Sequence, residues 1–167
     1  MKVNNSILNF LEVYSKNCHI DAIDSVVVLL KPDYPEDKKM SFLSYCNEKS
    51  LKIIFNDSSI LNKEKIFGIY YDLFRQKDDD LKYGILWKLK LIDYLTSGKS
   101  NYYLIQGVNA QELLNNYKKV IRLEYDKITT PKEVMSEDVF FEKVIKNLIH
   151  VTNTEEFVPT CWFLFIK

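Results

Sequence analysis

Apolar residues recur along this chain in two periods, one helical and one of alternating strand type. Ile7, Leu8, Leu11 and Tyr14, widened by Phe10 and Val13, share one face of a helix that Asn4 or Asn5 can cap. Residues 26–30 form a compact, β-branched run that stops at Lys31-Pro32 and reads as a buried strand or a helix end. Pro35 fits the first position of a helix through Tyr45, with Glu36 and Asp37 at its favourable N-terminal end. Residues 51–55 read as a short strand closed by the polar residues 56–59. The spacing of Ile66, Ile69, Tyr70, Leu73 and Phe74 then predicts a helix from Asn62 to about Lys77, where three consecutive aspartates break the pattern.

In the second half, Leu86, Trp87, Leu89 and Leu91 with Lys88 and Lys90 between them alternate, which predicts a strand over residues 85–92. Residues 96–100 read as a hairpin turn that returns through Tyr102, Tyr103, Leu104 and Ile105. Asn109 and Glu112 stand at capping-box spacing before a stripe of Leu113, Leu114, Tyr117 and Ile121, and residues 120–125 can finish as a strand. Thr130-Pro131 or Ser136 caps a helix that shows Val139, Phe140, Val144, Ile145, Leu148 and Ile149. Residues 161–166 are almost wholly apolar, so they require burial as a central strand or another form of cover. The alternation of strands and helices implies α+β class: one domain over residues 1–167, a mainly antiparallel sheet packed on one side by several helices.

Composition narrows the function classes. The chain has eleven Tyr, ten Phe and two Trp but only two His and four Gly in 167 residues. Glycine turns and imidazoles are common working parts of enzymes, whereas Tyr and Trp supply broad, rigid contact area. Lys plus Arg equals Asp plus Glu at 23 each, without a basic arm, which argues against direct nucleic-acid binding. Arg occurs only at Arg75 and Arg122, which weakens phosphate-handling readings. Cys18, Cys46 and Cys161 lack short spacing and read as reduced, buried thiols. Neither a leader nor a membrane-spanning run stands out, so a cytoplasmic location without membrane contact is expected.

The candidate motifs resolve into ordinary structure. Gly98-Lys99-Ser100 matches the tail of a phosphate loop, but Asp93 stands where its first glycine belongs. Pro32-Asp33 with Glu36 and Lys38 is compressed into one proline turn, too short for a metal-dependent nuclease. The pairs Cys18-His19 and His150 with Cys161 lack the further groups that nucleophilic or zinc chemistry needs, and His150 reads as a helix-end residue. Glu137, Asp138 and Glu142 with Lys143 and Lys146 read as a solvated helix face. No catalytic residue, metal ligand or cofactor emerges.

The compact, Lys-, Asn-, Ile- and Tyr-rich character without a catalytic motif resembles that of small bacterial immunity proteins, including those of contact-dependent inhibition systems. That resemblance implies a protein that neutralises a cognate toxin by forming a tight complex with it. The contact residues expected are Tyr102 and Tyr103, the acidic residues Asp78, Asp79 and Asp80, and Tyr70 and Tyr71. A secretion chaperone or adaptor, and a small hydrolase or nuclease using carboxylates that converge on folding, stand as alternatives.

Overall fold

The computed structural model describes residues 25–75, 86–127 and 135–166. The first predicted helix, Cys18, His19, the three aspartates at 78–80 and the cap at Thr130-Pro131 lie outside them. The chain runs β1 (Ser25–Leu30), α1 (Glu36–Glu48), β2 (Lys52–Ser59), α2 (Lys63–Ile69), α3 (Tyr71–Arg75) and α4 (Leu86–Thr96). It continues through β3 (Ser100–Gln106), α5 (Ala110–Glu124), α6 (Glu137–Phe140), β4 (Ile149–Val151) and α7 (Thr154–Cys161). Both α6 and α7 widen into a π-helical turn, at Phe141–Ile145 and Trp162–Ile166 respectively.

The four strands form one antiparallel sheet in the order β2-β3-β1-β4. Every residue of β1 is buried. Its near-continuous apolar run fits a central strand covered on both faces. Val27 and Leu29 enter one core with Ile66, Trp87, Leu95 and Phe157. Val26, Val28 and Leu30 enter a second core with Phe42, Leu114, Tyr117 and Ile121. The expected single-domain α+β class and antiparallel sheet are therefore present, but helices cover both faces of the sheet instead of one.

Three local expectations are corrected. Residues 86–96 are helical because Trp87, Leu91 and Leu95, spaced by four, all face the first core. The apparent alternation comes from Leu86 and Leu89, which are exposed, and from Lys88, whose ammonium reaches the Phe74 carbonyl at 3.0 Å. Residues 96–100 consequently join a helix to a strand and are not a hairpin turn. The apolar C-terminal run has the cover expected of it, as a helix and not as a central strand: Phe157, Cys161, Leu164 and Phe165 repeat at helical spacing and pack on the first core. Residues 120–124 continue α5 and form no strand.

The two cores can be probed by substitution. Leu104→Ala, at a fully buried β3 position, is expected to lower unfolding free energy by about 2–5 kcal/mol. Val120→Ala, on the exposed side of α5, is expected to change it by less than about 0.5 kcal/mol. Urea titration of both variants measures the contrast.

Candidate functional site

The antiparallel register of β1 and β4 brings two chemically active side chains to one face. Leu29 pairs with His150, and Lys31 lies two residues beyond Leu29. Side chains alternate along a strand, so His150 and Lys31 both leave the sheet toward the first core. They meet in a cavity of about 350 Å³ whose wall also carries Tyr70, Asn147 and Glu156. Trp87, Leu91 and Phe140 supply apolar lining, and Asp72 and Glu155 add carboxylates.

Lys31 is 4% exposed and directly follows the last residue of β1. Its Nζ donates to the Ile145 carbonyl at 3.0 Å and to Asn147 Oδ1 at 2.7 Å. The first acceptor is a carbonyl at the end of the π-helical turn, where helical partners run out. An ammonium has three donors, so two fixed bonds leave one over. The same nitrogen lies 5.9 Å from the Tyr70 ring centre and 5.8 Å from that of Tyr94. Burial, reinforced by the Arg122 charge, lowers the Lys31 pKa to about 7, against a partial opposing pull from Asp33.

His150 lies beside this lysine with a side chain 19% exposed. Its Nε2 is 3.3 Å from Glu156 Oε2 but is not aligned for a hydrogen bond, which leaves a buried ring nitrogen unpaired. Burial holds the imidazole below its usual pKa range, while Glu156 pulls the other way and Lys31 and Lys118 add to the depression. At neutral pH the ring is therefore uncharged. Glu156 itself is fixed by a capping box: Asn153 Oδ1 accepts from the Glu156 amide at 2.8 Å, and Glu156 Oε2 accepts from the Asn153 amide at 3.2 Å. The carboxylate that starts α7 is thus also the partner of the imidazole. Burial pushes its carboxyl up, but His150 and the other contacts more than offset this and hold it below the usual range.

Two further features mark the cavity. The Tyr70 hydroxyl is buried without a hydrogen-bond partner, and its ring packs 5.1 Å from that of His150. An orphaned buried hydroxyl is costly unless a ligand completes it. Leu148, between Asn147 and Ile149, holds φ at 68°. A branched residue in the left-handed region is strained by an amount on the order of 1–3 kcal/mol, and such strain clusters at functional sites. Its carbonyl accepts from the Lys31 amide at 2.8 Å, so the turn is tied to the end of β1.

Of the residues that the sequence points to, the cavity uses Tyr70. Tyr102 and Tyr103 are buried in opposite cores, because both sheet faces are covered, and neither presents the contact area expected of it. Tyr71 is exposed, with Arg75 over its ring. Asp33 accepts a hydrogen bond from the Tyr94 hydroxyl. Glu137 and Glu142 form the charge pairs expected of a solvated face, with Lys90 and Lys146. Cys161 is buried in the first core and His150 lies on a strand, not at a helix end. The signals that could have revealed the site are a strand ending in Lys31 and the capping pair Asn153 and Glu156 directly behind His150. Among the described residues, no group of three or more His, Cys, Asp or Glu side chains could hold a metal ion, and no helix is long and apolar enough to cross a membrane.

Neither a family model nor a curated protein sequence matches the chain. Solved structures do. The fold is similar to that of an NDP kinase from Pyrobaculum aerophilum, with a TM-score of 0.60 and 19% identity over 86% of this chain and 96% of that one. It is similar also to a nucleoside diphosphate kinase from Encephalitozoon cuniculi, with a TM-score of 0.55 and 15% identity over 86% of this chain and 90% of that one. At such identities the likeness establishes the fold. It also overturns the expectation of a toxin-neutralising immunity protein, since the architecture is that of these kinases.

The buried lysine has a measurable cost. Between pH 7 and 10.5 the unfolded chain holds a proton on Lys31 that the folded chain has released, so folding stability rises with pH across that window. Lys31→Met is therefore expected to raise stability near pH 7 by about 1–4 kcal/mol, although it leaves two acceptors unpaired. The advantage should shrink steadily as pH approaches about 10, the range of an unperturbed lysine. Thermal unfolding of both proteins across this range checks the sign.

Proposed function

We propose that the chain is a phosphotransferase of the nucleoside diphosphate kinase type, with His150 as the group that carries the phosphoryl in transit. The observation that supports this reading is the uncharged imidazole of His150 backed by Glu156 and facing a cavity with the buried Lys31. Imidazoles form covalent intermediates in group transfer, and phosphoryl transfer depends mainly on positioning and charge stabilisation. The names of the structurally similar proteins point to the substrate class, a nucleoside diphosphate as the group that is phosphorylated.

In this mechanism the neutral ring keeps its proton on Nε2, 3.3 Å from Glu156 Oε2, which leaves the lone pair of Nδ1 as the nucleophile. Nδ1 attacks the terminal phosphorus of a nucleoside triphosphate. The Nδ1–P bond forms as the bond from phosphorus to the bridging oxygen breaks, and the nucleoside diphosphate departs with that electron pair. A second diphosphate reverses the sequence and leaves as triphosphate. Glu156 stabilises the positive charge that the phosphorylated ring acquires. The remaining Lys31 donor and the unpaired Tyr70 hydroxyl face the same cavity, where phosphoryl oxygens can accept from both. An anion there also raises the Lys31 pKa and keeps its proton in place. Asp72 and Glu155 line the same cavity and would offer carboxylates to a divalent cation brought in on the nucleotide, since such ions combine one or two carboxylates with substrate phosphates. A cytoplasmic location, where nucleotides are abundant, belongs to the same reading.

Incubation with a magnesium nucleoside triphosphate carrying a labelled terminal phosphate tests the proposal. The expected result is an alkali-stable, acid-labile label on His150 that a nucleoside diphosphate discharges as labelled triphosphate. His150→Asn should abolish it. Tyr70→Phe should slow it about 10- to 100-fold, the worth of a hydrogen bond to a charged group. Absence of label on His150 with every nucleoside triphosphate would overturn the assignment.

A further inference from the structure

Arg122 approaches this site from the opposite side of the sheet. It lies in the last turn of α5, is 7% exposed, and belongs to the helix that covers the second core. Its Nη2 donates to the Ile149 carbonyl at 2.8 Å and its Nε to the Asn147 carbonyl at 3.3 Å. Among the described residues it forms no ion pair with a carboxylate. A buried guanidinium held only by carbonyls contributes poorly to stability, so stability alone is a weak reason for it to be there. The two carbonyls it grips flank Leu148, the residue held at φ 68°. The segment 147–149 feeds both working groups: the Asn147 side chain meets Lys31, and Ile149 precedes His150.

We infer that Arg122 is a positioning residue for the proposed phosphoryl transfer, clamping the strained turn at 147–149 so that Asn147 meets Lys31 and His150 faces the cavity, with its own charge set behind Lys31. The transfer step rests on the function proposed above, whereas the clamp stands on the geometry alone. Lys31 is faced by Asp33 in its own turn, by Lys118 and Arg122 from α5, and by Lys127 just beyond that helix. Tyr70, Tyr94 and Asn147 contact it from the cavity side, and His150 feels its charge there. Arg122 is the largest charge effect on Lys31, after burial itself. It therefore adds to burial in easing the loss of the Lys31 proton before an anion arrives.

Two substitutions separate charge from grip. Arg122→Gln removes the charge, and Arg122→Lys keeps it while losing the fork that reaches two carbonyls. Side-chain NMR of 15N-lysine follows the titration of Lys31, amide hydrogen exchange of Ile149 and Val151 follows the strand, and the pH profile of His150 phosphorylation follows transfer. Arg122→Gln is expected to raise the Lys31 pKa by about one unit, and Arg122→Lys to leave it near the wild-type value. Both variants should show faster exchange at Ile149 and at least a roughly tenfold loss in kcat with little change in KM. If Arg122→Gln does not fold, Arg122→Lys carries the exchange and kinetic arms alone. Unchanged Lys31 titration, exchange and kcat in the folded variants would overturn the inference. If wild-type protein takes up no phosphoryl group, the functional reading fails, while titration and exchange still decide the clamp.

Discussion

Much of this protein's architecture is arranged around one buried ammonium. Lys31 sits where the central strand ends, on the side of the first apolar core, with its charge removed from water. Such a group is costly to bury, and its surroundings offset the cost only in part: two oxygen acceptors and two aromatic faces, with the positively charged Arg122 working against it. The acceptors come from the end of a π-helical turn and from a strained loop, irregularities that an idealised fold would lack. The arrangement makes sense if an anion completes it.

The fold supplies the frame for that charge. Covering the sheet on both faces fixes β1 so completely that the direction of Lys31 is determined by its register alone. The short β4 strand then places His150 beside it, and the first turn of α7 brings Glu156 to the imidazole. Each element carries one working group and is locked by an ordinary structural device: a buried strand, a backbone pairing, a capping box. Helix α5 closes the other side, with Arg122 reaching across to the carbonyls of the β4 approach.

Much of the fold is legible in the sequence, and the site is not. Helix α1 and the stripe of α5 follow from period and punctuation, and β1 follows as a buried run that the sequence leaves open between strand and helix end. Residues 86–96 mislead because Lys88 buries its stem while its head reaches a carbonyl, so a helix looks like alternation. The terminal apolar run misleads because six consecutive apolar residues carry no period by themselves; only Phe157, one turn earlier, reveals the helix. The site is hidden for a different reason. Lys31 and His150 are far apart in the chain and meet only through strand register, which one sequence does not disclose. Scarcity of histidine argues weakly against catalysis, because a count of imidazoles says nothing about where one of them sits. The tyrosines at 102 and 103 belong on a surface only if one sheet face is open, and with both faces covered they become core.

If the cavity holds an uncompensated lysine waiting for phosphate, ligand binding must be coupled to protonation. Titration calorimetry of a magnesium nucleoside triphosphate in buffers of different ionisation enthalpy measures this directly. With a Lys31 pKa of about 7, wild-type protein at pH 7 should take up roughly half a proton per nucleotide bound, and Lys31→Met should take up almost none. Binding without proton uptake in the wild type, or the same uptake in both proteins, would contradict a role for the buried charge in receiving phosphate.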